Sequence, residues 1–257
     1  MNYKELLQQI KSRYQTILAD VLIGIYIHGS IAFGCYNEQK SDIDFLVVVK
    51  EKLSVEIKKQ LIQVLIELTK EAPKKGFEMS VLCLKDCQKI AYPTPFDLHF
   101  SNMHLEHCKN DLDEYCEHMN GLDEDLAAHI VVTKSAGIVL YGLPINEVFA
   151  EVPEHYYLHS IKNDIENAVE EIVENPVYII LNLCRVLAYI ADRCVLSKKQ
   201  GGEWGMLHLP VKYQELVRKA LVEYESVEVG NCHWNLEESK LREFAEYMHH
   251  CIFKVEY

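Results

Sequence analysis

Three acidic residues stand where their spacing could do chemistry. Asp42 and Asp44 lie two apart at the head of the apolar run Ile43-Asp44-Phe45-Leu46-Val47-Val48-Val49. A strand alternates its side chains between two faces, so Asp42 and Asp44 point one way while Ile43 and Phe45 point the other. Two carboxylates on one face can share a divalent ion, whose charge offsets their repulsion. Upstream, Tyr26-Ile27-His28-Gly29-Ser30 ends an earlier apolar run in Gly-Ser. Glycine lets the backbone approach a phosphate with no Cβ in the way, and Ser30 adds a hydroxyl donor. Strand, phosphate-binding turn and acid-bearing strand together read as a Mg-nucleotide site. The third acid is Glu78, opposite in face to Phe77, Met79 and Val81 in the run Phe77 to Leu84. A charge inside such a strand is costly unless it is paired, metal-bound or solvated in a cleft. If that strand neighbours the one carrying Asp44, the three carboxylates converge.

The elements that must hold these residues follow from periodicity. Helical spacing is expected over residues 2 to 19 and from Leu53 to Thr69, with strands at Val21 to His28, Ile43 to Val49 and Phe77 to Leu84. Residues 91 to 108 carry Pro93 and Pro95 without a clean period, so a loop with a short extended segment is expected there. Helical spacing resumes from Leu122 to Gly137, and Ile138 to Leu140 is a short apolar run closed by Gly142 and Pro144. Beyond Pro153 the pattern is helical throughout: His155 to Val173, Val177 to Leu196 behind Pro176, Pro210 to Tyr224, and Leu236 to Phe253. The expected fold is α+β, with a mixed sheet flanked by helices over residues 1 to 152 and a helical bundle over 153 to 257.

One basic residue sits in the apolar part of that second half. Arg185 lies among Leu181, Leu183, Val186, Leu187 and Ile190, where an unpaired charge is expensive. Lys198 and Lys199 follow just beyond the helix, before Gly201-Gly202-Glu203-Trp204-Gly205. Arg185 and Lys198 are expected to reach a triphosphate across an interdomain cleft, Arg as a fork and Lys as a point charge. A structural salt bridge for Arg185 and a solvated loop for the lysines is the other reading.

Composition narrows the partners. A formal net charge of -13 over 257 residues repels a phosphate backbone, which argues against nucleic acid and suits a polycationic small molecule. No window approaches the ~18 apolar residues of a membrane span, and no basic leader precedes an apolar stretch, so a cytoplasmic protein is expected. The nine cysteines are scattered and never paired as C-x-x-C, which reads as reduced core thiols. His104, His107 and Cys108 cluster without a second ligand pair at zinc spacing.

With Gly29-Ser30, Asp42-x-Asp44 and Glu78, the first half resembles the polymerase-β-like nucleotidyltransferase superfamily. The second half, through Leu181-Asn182-Leu183-Cys184-Arg185-Val186, Ser197-Lys198 and Glu203-Trp204, resembles the aminoglycoside adenylyltransferases that modify streptomycin at 3″ and spectinomycin at 9. The resemblance implies that Asp42 and Asp44, with Glu78, hold two Mg²⁺, and that Glu78 is the general base. It implies ATP as co-substrate, contacted by Gly29, Ser30, Arg185 and Lys198. It also implies AMP transfer to an aminocyclitol hydroxyl by a monomer, as in antibiotic resistance. The chain departs from the family at Pro93-Thr94-Pro95-Phe96-Asp97 and at Ser101-Asn102-Met103, where the family carries Pro-Pro-x-Arg-Glu and Gly-Glu-Trp. Met103 in place of an aromatic platform favours spectinomycin over streptomycin. Asp97, Met103 and Glu171 or Glu174 are the expected acceptor contacts. AMP transfer to a protein or another non-drug acceptor, and nucleotide binding without chemistry, stay open as alternatives.

Overall fold

In a computed structural model, residues 2–226 and 238–253 are described, and they divide into two units after Tyr157. The first is built on a five-stranded mixed sheet of β1 (Leu22–Ile27), β2 (Ile43–Val49), β3 (Phe77–Cys83), β5 (Leu98–Ser101) and β7 (Ile138–Gly142), in the order β5-β3-β2-β1-β7. β2 is central and buried along its whole length, as a strand with both faces covered must be. β1 pairs with it antiparallel and β3 parallel, with Asp44 opposite Glu78. Two short strands, β4 (Thr94–Phe96) and β6 (Gly121–Asp123), form a separate pair.

The two faces of the sheet have different cores. Ile43, Phe45, Val47 and Val49 pack with α1 (Tyr3–Leu18) and α3 (Val55–Leu68), joined by Cys108 of α5 (Leu105–Asn110) and Tyr115 and Cys116 of α6 (Leu112–His118). Leu46 and Val48 face the other way, onto Tyr26, Leu82, Cys87 of α4 (Leu84–Gln88), Leu126 and Ile130 of α7 (Leu126–Ala136), and Val148 of α8 (Ile145–Val148). Asp44 shares this second face, one pleat before Leu46. The acid therefore sits at the end of an apolar surface that anchors the strand beneath it. Helix starts follow local chemistry: Asn2 and Glu5 form a reciprocal capping box on α1, and Ser54 caps α3. A short helix, α2 (Gly29–Ala32), leaves β1 at Gly29.

The second unit is helical. Its elements are the end of α9 (Glu154–Asn163), α10 (Ala168–Glu171), α11 (Pro176–Asp192), α12 (Lys198–His208), α13 (Val211–Glu225) and α14 (Glu238–Phe253). α11 is its central apolar rod, and Pro176 occupies a first-turn position where a missing N–H is harmless.

Several expectations are corrected. The helix expected from His155 to Val173 is interrupted at residues 164–167, where Ile165, Glu166 and Ala168 each donate to the carbonyl three residues back and the Asp164 carboxylate is drawn to α11. The solvated loop that the second reading gave Lys198 and Lys199 is a helix, started by a Ser197–Gln200 capping box. Glycine's low helix propensity hid it. Gly201, Gly202 and Gly205 are there because the helix lies against others: a Cβ would strike Arg185, Leu181 with Leu221, and Cys184 respectively. The helix expected to start at Leu122 starts at Leu126, and the run at Ile138 is an edge strand. Leu236, the expected start of the last helix, and Cys232 lie outside the described residues; the eight cysteines within them are free thiols.

Candidate functional site

Strand pairing assembles the acids. Asp44 and Glu78 sit side by side in the parallel β2–β3 register, and Asp42 lies on the same face just before β2. Asp42, Asp44 and Glu78 each offer a carboxylate oxygen, and these oxygens lie within 4.8 Å of one another. Among the described residues no other set of three His, Cys, Asp or Glu side chains converges in this way. Three anions at that separation repel strongly in a partly desolvated site, and Asp44 is only 8% exposed. A divalent cation removes the repulsion, and the all-oxygen donor set suits a hard ion such as Mg²⁺. The residues present fit the metal that the sequence implies.

Gly29 has two reasons to be glycine. Its φ of +61° lies in the left-handed region, and a Cβ built there would collide with the Asp44 carboxylate. The space that the sequence reading reserved for a phosphate is therefore first the space that Asp44 occupies. The turn is tied to β2 by the His28 N–H, which donates to the Asp44 carbonyl at 3.1 Å. Beside Gly29, the Ser30 hydroxyl oxygen is buried with no hydrogen-bond partner. A buried hydroxyl left unmatched is costly, and a phosphate oxygen or a metal-bound ligand would satisfy it.

The structure adds a histidine that the sequence reading passed over. His129 of α7 places Nε2 3.8 Å from Glu78 Oε1, and its ring lies 4.8 Å from that of buried His28. The signal was present, because His129 falls three residues after buried Leu126 and one before buried Ile130 of α7. Burial, with His129 nearby, pushes the His28 imidazole well below its ordinary pKa. On the other flank, His99 hydrogen-bonds Ser80 at 3.0 Å, and burial lowers its pKa against the opposing pull of Glu78 and Asp123.

The other predicted residues scatter. Asp97 is corrected: it is 2% exposed, forms an ion pair with buried Lys58 at 3.1 Å, and accepts a hydrogen bond from the Leu53 N–H at 2.8 Å. Both partners belong to the approach and body of α3, so Asp97 ties that helix to the sheet, buried away from solvent. Met103 is 90% exposed in the turn after β5. Glu171 and Glu174 are exposed, at and just after the end of α10.

In the helical unit, Arg185 donates from Nη1 to the Asn182 side-chain oxygen at 3.0 Å, and Lys198 Nζ lies 4.6 Å above the Tyr178 ring. Of the two readings of Arg185, the structural salt bridge is absent: no carboxylate pairs with it among the described residues.

Comparison with known proteins finds a family match in each part of the chain. Residues 3–97 match the family model described as nucleotidyltransferase domain, and residues 147–250 match that of the aminoglycoside adenylyltransferase C-terminal domain. A spectinomycin 9-adenylyltransferase of Campylobacter jejuni is 24% identical over 258 residues, covering 96% of both chains. An aminoglycoside (3″)(9) adenylyltransferase of Escherichia coli is 24% identical over 244 residues, covering 93% of this chain and 90% of its own. Among solved structures, spectinomycin adenyltransferase AAD(9) of Enterococcus faecalis, with ATP and spectinomycin, superposes with a TM-score of 0.78 at 20% identity, over 98% of this chain and 99% of that one. That likeness supports the fold.

Proposed function

We propose that this chain, which belongs to the aminoglycoside adenylyltransferase family, transfers AMP from ATP to a hydroxyl of an aminocyclitol antibiotic, with spectinomycin favoured over streptomycin. The observation that carries the reading is the convergence of Asp42, Asp44 and Glu78 within 4.8 Å beside the Gly29-Ser30 turn. Relatives named for spectinomycin, and Met103 where the family has an aromatic residue, support the choice of acceptor.

In this reading Glu78 removes the proton from the acceptor hydroxyl. The new bond joins that oxygen to the α-phosphorus of ATP, the bond from the α-phosphorus to the bridging oxygen breaks, and pyrophosphate leaves in line. Ser30 gives its unmatched hydroxyl to a phosphate oxygen. Arg185 and Lys198 supply positive charge for the triphosphate. Mg²⁺, as two ions held by Asp42 and Asp44 with Glu78, would neutralise charge on the attacking and leaving oxygens. Met103, Glu171 and Glu174 are proposed acceptor contacts, the two glutamates attracting the cationic amines of an aminocyclitol. No helix among the described residues is long and apolar enough to cross a membrane, and we place the enzyme in the cytoplasm as a monomer.

The test is pyrophosphate release with ATP and Mg²⁺ against a panel of aminocyclitols. Release that requires spectinomycin is expected. Release with no acceptor dependence, or none across the panel, would reject the acceptor assignment.

A further inference from the structure

We infer that Asp164, Tyr178 and Asn182 form a positioning network whose task is to aim Arg185 at the nucleotide phosphates; the inference rests on the reading of Arg185 as a nucleotide-binding group. Asn182 is 2% exposed in the middle of the most apolar helix of the chain. A buried amide there is costly unless both its ends are used. Both are: its nitrogen donates to Asp164 Oδ2 at 3.1 Å, and its oxygen accepts from Arg185 Nη1 at 3.0 Å. The other Asp164 oxygen accepts from the Tyr178 hydroxyl at 2.7 Å. Asp164 stands in the break between α9 and α10, so the interruption of the helix is what delivers its carboxylate to α11.

The polarity of the chain has one direction. The negative charge is at Asp164, the neutral amide relays it, and the positive guanidinium is at the far end with no carboxylate of its own among the described residues. An arginine held for stability alone would be expected to contact the carboxylate itself, because that pairing is stronger than a bond to an amide. Here Asn182 takes one N–H and fixes the fork, leaving the remaining donors for an anion. Gly201 removes the Cβ that would strike the Arg185 stem, so the side chain lies closely against α12. Tyr178 links the network to the second cation, since its ring lies under Lys198 Nζ.

Four variants of the full chain test this, each measured by calorimetric ATP-Mg binding, separate KM values for ATP and spectinomycin, and thermal melting. Asn182→Leu keeps the packing volume and frees Arg185, and should weaken ATP about tenfold with the spectinomycin KM unchanged. Asp164→Ala removes the acceptor of the buried Asn182 amide, and should weaken ATP about threefold with the spectinomycin KM unchanged and a somewhat lower melting temperature. Tyr178→Phe keeps the ring under Lys198 and should do less than Asp164→Ala. Arg185→Ala is the reference and should weaken ATP most. If Asn182→Leu and Asp164→Ala bind ATP within twofold of the parent while Arg185→Ala does not, the positioning role is overturned and the nucleotide reading stands. If Arg185→Ala also leaves ATP binding unchanged, both fall.

Discussion

The sheet and the helical unit place charged groups beside an apolar core by opposite means. On the sheet, strand pairing alone does the work: Asp44 and Glu78 meet because parallel β2 and β3 put them opposite each other, and their like charges are left to be neutralised by a ligand. In the helical unit, Arg185 reaches its place through side chains, bonded to Asn182, which is bonded to Asp164, which is bonded to Tyr178. Backbone placement leaves no freedom to the acids, so their repulsion is built in. Side-chain placement makes the cation's aim depend on residues one and two bonds away.

This contrast can be broken at its strongest point first. Asp44→Asn removes one charge from the trio without disturbing β2, and activity should fall at least about a thousandfold with the fold intact by circular dichroism. An activity loss below tenfold would show that the trio is not the reacting centre. Substituting Asp97, the acid buried against Lys58, should do the reverse. Asp97→Ala strands buried Lys58 and is expected to lower stability by about 3–5 kcal/mol in denaturant melts, while the KM for spectinomycin in the folded fraction stays at its parent value.

Legibility in the sequence followed the same line. Period-two alternation and a charge inside an apolar run were enough to find Asp42, Asp44 and Glu78, because a strand's facing depends only on its own residues. Asp97 was misread because its meaning comes from Lys58 and the Leu53 amide, distant in sequence and adjacent only when α3 packs on the sheet. Likewise α12 looked like a loop because its three glycines answer to α11 and α13, not to their own helix. Asp164, Tyr178 and Asn182 carried no local signal. His129 was legible in principle, beside buried Ile130 of α7, but only Glu78 across from it gives the position meaning.

Two smaller effects sharpen the comparison. Gly29→Ala forces a side chain into the left-handed region and into the Asp44 carboxylate. Stability should drop by roughly 1–2 kcal/mol in urea melts, accompanied by weaker metal binding, since backbone placement cannot adapt. The histidines around the site supply a pH dependence. His28, His99 and His104 all have pKa values lowered chiefly by burial, so the folded state binds fewer protons than the unfolded state between its own pKa values and about 6.5. Stability should therefore be full above about pH 6.5 and decline as the pH falls below it, and His28→Asn should flatten that decline. A melting temperature that rises on acidification would contradict the sign.

The most direct test of AMP transfer is the mass of the acceptor. Spectinomycin incubated with the protein, ATP and Mg²⁺ should gain one AMP, with one pyrophosphate released per molecule modified and no gain with Asp44→Asn. Spectinomycin recovered unmodified from protein that binds ATP-Mg and retains its fold would contradict the account.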